Sequence, residues 1–300
     1  MTEQSAWRFS DDRGQVSTAA RRPARILAYI QAGATLWDYG IRPEGIFGSG
    51  HDGPAPDRAK AGALPLDSVD YVGAGGALDI ETLLRGAPDL VVAVSYGGGQ
   101  VYGLAPETAK HLEEQVPVVV IDVGRARGFA AIGDRFGELA RSLGAEPAPA
   151  ADRESAAAGE RLRAVVAAVQ DRPQVLALSP AGREEVHLAR PGMWPELRVL
   201  ADLGVNMMEP AEGPGAGWST VDRAHAAELR PPLVLADVRA HATPLDAFAA
   251  AAVGSAAGGP ALWESARVVP WNPEPPCSPR AHARFLTSVA DALEAVGSER

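Results

Sequence analysis

Short, nearly unbroken runs of branched apolar residues alternate with helix-like segments along this chain of 300 residues. The clearest runs lie at residues 90–94, 116–121 and 233–236. A strand that is apolar at every position is buried on both faces, which is the environment of a parallel sheet covered by helices. The sequence therefore predicts an α/β fold with parallel strands, rather than an all-helical or all-β fold.

The order of these segments repeats in the two halves of the chain. A strand at residues 25–30 is followed by small residues and then by a short helix that ends at Gly40. In the second half, a strand at 174–178 is followed by small residues and a helix that ends at Gly204. A gene duplication or two lobes that merely share an architecture would produce this pattern. Both interpretations, like the length of the chain, predict two Rossmann-like α/β lobes.

The strongest helix-forming segment lies between the two halves, at residues 152–171, and is rich in Ala, Glu and Arg. Leu162, Val165, Val166 and Val169 make one apolar face. This helix is either a rigid strut that joins the lobes or an ordinary peripheral helix of one lobe. We predict an N-terminal extension at 1–22, an N-terminal lobe at 23–148, a linker helix at 149–172 and a C-terminal lobe at 173–300.

Composition excludes several classes of protein. The net charge of −10 disfavours binding to nucleic acid, and no apolar run reaches the length of a membrane span. One cysteine, Cys277, excludes an internal disulfide framework and a multi-cysteine metal site. The N-terminal 25 residues have no apolar signal region. We therefore expect either a cytoplasmic protein that begins at Met1, or an exported lipoprotein whose signal has been removed.

The motifs that suggest a nucleotide site or a catalytic site are incomplete. Residues 48–53, GSGHDG, match a dinucleotide fingerprint, but Pro54 and Pro56 prevent the helix that must follow it. Ser95 follows a buried strand as a hydrolase nucleophile does, yet the first glycine of that motif is missing. The six histidines lack the spacing of a zinc or iron site. These observations favour a binding protein over an enzyme and predict no catalytic or metal-binding residue.

Aromatic and arginine side chains follow several of the predicted strands. They are Tyr96, Trp194, Trp218 and Trp271, together with Arg125, Arg190 and Arg239. Ligands of open α/β lobes bind beyond the carboxyl ends of parallel strands, and a cleft between two lobes is the usual pocket. As a set, ring faces and guanidinium groups suit a flat, partly anionic ligand.

Several segments together resemble the iron–siderophore substrate-binding proteins of ABC importers, in particular actinobacterial members. The segments are FSDDRGQVS and RRPARILAYI near the start, LWDYGIRPEGIFG, YVGAGGALDIETLLRGAPDLVVAVSYGG, the linker helix and WSTVDRAHAAELRPPLVLADV. Their order and spacing from residue 8 to 296 carry the resemblance. It implies two α/β lobes joined by a single long helix, with the ligand in the cleft between the lobes.

The resemblance also implies a function and a set of ligand-binding positions. The expected ligand is a ferric siderophore or a similar metal chelate, with heme or cobalamin as further possibilities, and no intrinsic cofactor. The expected partner is an ABC permease if the protein is exported, and we expect a monomer. The ligand-binding positions that it implies are Gln31, Thr35, His51, Gly75, Gly76, Tyr96, Arg125, Arg190, Trp194, Trp218, Arg239 and Trp271.

A cytoplasmic enzyme or metabolite-binding protein on the same scaffold, for example in secondary metabolism, is the alternative. The missing export signal motivates it, as do Ser95, Tyr96 and His51, which this hypothesis places in one cleft.

Overall fold

The computed structural model describes residues 6–211, 215–250 and 263–298. The chain divides into two compact units. Unit 1 comprises Met1–Ala150 and Glu274–Ala281, and unit 2 comprises Ala151–Pro273 and His282–Arg300. Each unit is built on a five-stranded sheet, which confirms the predicted α/β class. Residues 1–5 of the predicted N-terminal extension lie outside the described part of the chain. No helix within the described residues is long and apolar enough to cross a membrane.

Unit 1 combines an N-terminal hairpin with a fully parallel sheet. Its strands are β1 (Trp7–Ser10), β2 (Val16–Ala19), β3 (Ile26–Tyr29), β4 (Gly45–Gly48), β5 (Asp70–Ala74), β6 (Leu90–Ser95) and β7 (Val118–Asp122). Its helices are α1 (Ile30–Asp38), α2 (Arg58–Ala61), α3 (Ile80–Leu84), α4 (Pro106–Glu113) and α5 (Phe129–Ser142). Sheet 1 has the order β5-β4-β3-β6-β7, and every neighbouring pair in it is parallel. The central strand β3 and its neighbour β6 are buried at every position, as the apolar runs predict.

Helix α1 begins directly at the end of β3, with no loop between them. The sequence predicted the first strand and the end of this helix at Gly40, but the prediction that residues 31–35 precede the helix is wrong. Small side chains let α1 lie against the sheet. A Cβ atom on Gly33 would come within 2.9 Å of Ile46 Cγ2 on β4.

The β1–β2 hairpin covers the edge strand β7. Asp11 and Asp12 accept hydrogen bonds from the backbone N–H groups of Val120 and Asp122, at 3.2 and 2.8 Å. Ser17 Oγ donates to the carbonyl oxygen of Val118 at 2.9 Å. These bonds satisfy the outward-facing backbone groups of an edge strand, which otherwise invite pairing with another chain.

Unit 2 has a mixed sheet. Its strands are β8 (Val175–Ala181), β9 (Glu185–Ala189), β10 (Trp218–Asp222), β11 (Leu233–Asp237) and β12 (Arg267–Trp271). Its helices are α6 (Pro149–Ala168), α7 (Pro195–Asp202), α8 (Arg223–Glu228), α9 (Leu245–Ala250) and α10 (Pro279–Ser298). Sheet 2 has the order β10-β9-β8-β11-β12, in which β8, β11 and β12 are parallel while β9 and β10 are antiparallel to their neighbours. Unit 2 therefore does not repeat the strand pattern of unit 1.

The predicted linker helix is α6, and its apolar face packs into the core of unit 2. Leu162 and Val165 are buried, and Val166 and Val169 pack against the same cluster. Helix α10 contributes Leu286, among others, to this cluster. The face that the helical spacing predicted is therefore confirmed, while the role of α6 as a strut stays a prediction.

Candidate functional site

Five of the predicted ligand-binding residues follow the carboxyl ends of the parallel strands of sheet 1. His51 comes after β4, Gly75 and Gly76 after β5, Tyr96 after β6 and Arg125 after β7. The carboxyl ends of parallel strands meet at one edge of a sheet, where open α/β folds bind their ligands. His51, Gly76, Tyr96 and Arg125 are exposed to solvent.

The loops at this edge pack backbone against backbone. A Cβ atom on Gly75, whose φ is +53°, would lie 2.5 Å from Gly50 Cα. A Cβ atom on Gly124 would lie 2.8 Å from the carbonyl carbon of Tyr96. Only glycine tolerates such close approach, and at Gly75 the positive φ adds a second reason for glycine. Gly75 therefore shapes the loops and offers no side chain to a ligand.

Three tyrosines form an aromatic cluster at the same edge. The ring of Tyr102 lies edge-on to Tyr29 at 5.5 Å and to Tyr96 at 4.8 Å. Tyr29 is fully buried, whereas Tyr96 is 38% exposed. Tyr96 Oη also donates a hydrogen bond to Gln31 Oε1 at 3.3 Å. Tyr96 thus presents an oriented ring and hydroxyl group at the edge where a ligand is expected.

Gln31 and Thr35 lie on the face of α1 that holds the segment Glu274–Ala281, which we call the returning segment. Gln31 Nε2 donates to the carbonyl oxygen of Pro275 at 2.9 Å, and Thr35 Oγ1 accepts from the backbone N–H of Cys277 at 2.9 Å. Both side chains are buried. Their spacing of four residues suits this packing role, and their predicted contact with a ligand stays a prediction.

A buried ionic cluster fastens the start of the returning segment. Lys60, from α2, is fully buried and lies 2.9 Å from Asp52 Oδ1 and 3.0 Å from Glu274 Oε1. The buried Tyr29 hydroxyl group donates to the other oxygen of Glu274. Burial and then the Glu274 charge raise the pKa of Tyr29 well above its usual value. The cluster joins the loop that carries His51 to β3, α2 and the returning segment.

Ser95 is one of the residues that motivate the enzyme alternative, and the structure describes its hydrogen bonds. Ser95 is buried, and its hydroxyl group donates to the carbonyl oxygen of Gly97 and accepts from the Gly97 N–H, both at 3.1 Å. A side chain used in this way closes the turn after β6. The enzyme hypothesis stays a prediction.

Three predicted tryptophans of unit 2 meet on one face of sheet 2. Trp218 comes from the edge strand β10, Trp271 from the opposite edge strand β12, and Trp194 from the residue before α7. Their ring centroids are 4.8 to 5.8 Å apart. Trp194 and Trp218 are half-buried, whereas Trp271 is only 1% exposed and belongs to the core. Trp194 and Trp218 can offer ring surface to a ligand, and the buried Trp271 packs against both of them.

A buried acid lies under this tryptophan cluster. Glu196, in the first turn of α7, accepts a hydrogen bond from Trp271 Nε1 at 3.1 Å and is 3% exposed. Burial raises the pKa of Glu196 to about 7. The carboxyl group therefore changes its charge close to neutral pH.

The predicted arginines of unit 2 have partners within the unit. Arg239 is nearly buried and binds Asp237 through Nε and Nη2 at 3.1 and 2.8 Å, and Ser179 donates to the same carboxylate. The pair is close to neutral, which reduces the attraction of Arg239 for an anion. Arg190 donates from Nη1 to the carbonyl oxygen of Gly215 at 2.6 Å. Arg190 follows β9, which is antiparallel to β8, so Arg190 does not lie at the carboxyl end of a parallel strand.

Sequence reasoning missed three residues of these arrangements. Tyr102 follows the glycine turn after β6, and its aromatic character next to a strand end was a usable signal. The burial of Glu196 was not predicted, because an acidic residue in the first turn of a helix is usually exposed. Lys60 carries no local sign of burial, since its ionic partners are distant in sequence or in a loop.

No protein-family profile matches the chain, and no curated protein matches it. Solved structures do. DesE, a ferric-siderophore receptor protein from Streptomyces coelicolor, has a TM-score of 0.83 at 26% sequence identity, over 96% of this chain and 98% of that chain. This chain is therefore similar to a ferric-siderophore receptor protein over nearly its whole length.

Two further solved structures have a similar fold. The Fe3+-Desferal bound siderophore binding protein FhuD from Vibrio cholerae has a TM-score of 0.61 at 17% identity, over 91% of this chain and 99% of that chain. The periplasmic heme-binding protein RhuT from Roseiflexus sp. RS-1, in its apo form, has a TM-score of 0.61 at 15% identity, over 91% and 98%. At these identities the likeness concerns the fold alone. The likeness to DesE supports a solute-binding role.

Proposed function

We propose that the protein binds a ferric siderophore or a similar metal chelate and delivers it to an ABC importer. The observation that carries this proposal is the likeness to DesE, which extends over nearly the whole of both chains. The alternative cargo, heme, has support from the fold of RhuT and of the heme binding protein HmuT, whose TM-score is 0.63 at 18% identity.

The aromatic groups of each unit suit the outer surface of a chelate. Tyr96 offers a ring that is 38% exposed, and Trp194 and Trp218 offer half-buried indoles. A chelate that surrounds its iron supplies the metal ligands itself, so the protein needs only to recognise the organic shell. Rigid aromatic rings lose little conformational entropy on binding and give large contact areas. Exposed Arg125 and half-buried Arg190 add positive charge for an anionic shell.

Delivery to an importer requires a protein that works outside the cytoplasm, so we also propose that the protein is exported. The importer itself is the partner that we propose for the loaded protein.

Tryptophan fluorescence tests the proposal directly, because a ferric chelate bound close to an indole quenches its emission. We would titrate the purified protein with ferric hydroxamate, catecholate and mixed chelates, with the iron-free chelators, and with heme and cobalamin as separate arms. We expect saturable quenching by one class of ferric chelate. Saturation by heme or cobalamin alone would replace the chelate by that cofactor, and no saturation in any arm by folded protein would refute the proposal.

Two substitutions connect binding to the aromatic groups. Tyr96→Ala and Trp218→Ala should each weaken the affinity for the chelate at least about tenfold, as is usual for aromatic anchors of an interface. Trp37→Phe is the matched control, because it removes an indole of α1 outside the predicted set. Unchanged affinity in both alanine variants would move the site away from these side chains. Isothermal titration calorimetry measures these affinities independently of the indole signal.

A further inference from the structure

The tryptophan cluster of unit 2 rests on one hydrogen bond to a carboxyl group. Glu196 Oε1 accepts a hydrogen bond from Trp271 Nε1 at 3.1 Å. Both residues are buried, with exposed fractions of 3% for Glu196 and 1% for Trp271. A buried indole N–H that loses its acceptor is unfavourable, so this bond constrains the orientation of Trp271. Glu196 follows Trp194 by two residues, so the same stretch of chain carries the acid and one of the rings above it.

Trp271 transmits this constraint to the two half-exposed rings. It meets Trp194 edge-on at 5.8 Å with an interplanar angle of 89°, and Trp218 at 5.8 Å with an angle of 55°. Trp194 and Trp218 are 4.8 Å apart, and Trp194 Nε1 donates to the carbonyl oxygen of Gly217 at 3.0 Å. In a close-packed cluster, a change in the tilt of Trp271 displaces its neighbours.

We propose that Glu196 is a positioning residue that holds Trp271 beneath Trp194 and Trp218 and makes the ligand affinity of this cluster respond to pH. The effect on affinity rests on the proposed function, whereas the effect on the tryptophans themselves does not. Glu196 would touch no ligand, and it would act only through Trp271.

The charged groups around Glu196 are consistent with a pH response near neutrality. Burial raises its pKa to about 7, and the positive charges of Arg239, in the loop after β11, and Arg198, on α7 itself, oppose this shift. Asp237 offsets most of the charge of Arg239 by a direct ion pair at 2.8 Å. Above neutral pH, the carboxylate accepts a charge-assisted hydrogen bond from Trp271, and below it the protonated group accepts a weaker one.

A second titratable group adjoins the cluster and has to be separated from Glu196. The His187 ring lies 6.2 Å from Trp218 on β9, and its Nδ1 is 2.8 Å from Thr220 Oγ1. Replacement of His187 therefore separates any contribution of this ring to the emission of Trp218 from the contribution of Glu196.

The first experiment uses the ligand-free protein. Tryptophan emission and near-ultraviolet circular dichroism would be followed from about pH 5.5 to 8.5, a range that brackets the carboxyl group. We expect a transition near pH 7 in the wild type, in His187→Gln and in Glu184→Gln, which alters an exposed acid of the β8–β9 turn. Glu196→Gln keeps an acceptor but cannot titrate, so it should abolish the transition. A transition that persists when Glu196→Gln is combined with His187→Gln, or one that is missing from the wild type, would overturn the proposal.

The second experiment measures affinity with a ferric chelate that quenches the wild type. We expect binding about fivefold weaker at pH 6 than at pH 8, the difference between a neutral and a charge-assisted hydrogen bond. Glu196→Gln should bind equally at both pH values, and equal pH dependence in the variant and the wild type would contradict the proposal. If no chelate binds, the proposed function fails while the ligand-free transition still decides the role of Glu196. If Glu196→Gln does not fold, Trp271→Phe replaces it, since removal of the indole donor should also abolish the transition.

Discussion

Replacement of Lys60 by methionine tests the ionic cluster of unit 1 most severely. Methionine keeps most of the apolar length of the side chain but removes the ammonium group. That group lies 2.9 and 3.0 Å from the two oxygens of Asp52 and 3.0 Å from Glu274 Oε1, and it is fully buried. The variant therefore leaves two buried carboxyl groups without their cation.

Removal of one partner from a buried ion pair typically costs about 3–5 kcal/mol, because the remaining charge loses its compensation. We expect Lys60→Met to lose at least about 3 kcal/mol of unfolding free energy at neutral pH, a large part of the stability of an ordinary domain. Lys110→Met is the matched control. Lys110 is the other lysine of the chain and is exposed on α4, so its replacement should change stability by less than about 0.5 kcal/mol.

The loss of stability in Lys60→Met should depend on pH in a defined direction. Burial alone would raise the pKa of Asp52, but the hydrogen bonds from Lys60 and Ser49 outweigh it and hold the pKa below its ordinary value. A lowered pKa contributes stability above the unfolded-state pKa of about 3.9 and loses that contribution as the pH falls further. The difference in stability between wild type and Lys60→Met should therefore shrink as the pH falls through about 4.

Urea denaturation gives the free energies, and hydrogen exchange of the peptides that cover residues 48–62 and 274–281 localises the effect. Faster exchange in both peptides is expected for Lys60→Met but not for Lys110→Met. Wild-type stability and wild-type exchange in Lys60→Met would refute the reasoning that the cluster fastens the returning segment.

Three further predictions concern glycine, an aspartate and pH. Gly75→Ala should lose about 2 kcal/mol of unfolding free energy in urea denaturation, because Gly75 has a positive φ and Gly50 approaches it closely. Gly76→Ala should keep its stability, because the space around its Cβ is open. Equal losses in the two variants would contradict the loop geometry. Asp12→Ala should lose about 2 kcal/mol of unfolding free energy by the same measurement, because the Asp12 carboxylate accepts a backbone hydrogen bond and pairs with two arginines. Unchanged stability would exclude that role. Burial raises the pKa of Glu196 to about 7 in the folded state, so the folded state binds more protons than the unfolded state between about pH 4.3 and 7. The stability of the wild type should therefore fall as the pH rises through this range. Glu196→Gln should flatten this pH dependence, and an unchanged slope would contradict the raised pKa of Glu196.

The buried strands and most of the helices could be predicted from the sequence because their signals are local. The run at residues 90–94 lies within β6, and the run at 233–236 lies within β11. The apolar spacing of Leu162 and Val165 identified the buried face of α6. These patterns report burial directly, so no knowledge of distant partners is needed.

The partners of polar side chains could not be predicted in this way. Gln31 and Thr35 each form a hydrogen bond with a residue that lies 244 or 242 positions further along the chain, and no local pattern indicated these partners. The antiparallel strands β9 and β10 lack a distinctive apolar run, so no strand was predicted around Arg190 or Trp218. Hydrogen bonds over such sequence separations follow from the topology, which local patterns do not specify.

Native mass spectrometry can detect whether the protein holds an intact ferric chelate, as we propose. The protein would be mixed with each ferric chelate of the panel and with its iron-free form, and the mass and stoichiometry of any complex recorded. The account predicts a complex of one protein with one chelate whose added mass includes both the iron and its chelator. A folded protein that forms no such complex with any member of the panel, or that retains iron without its chelator, would contradict it.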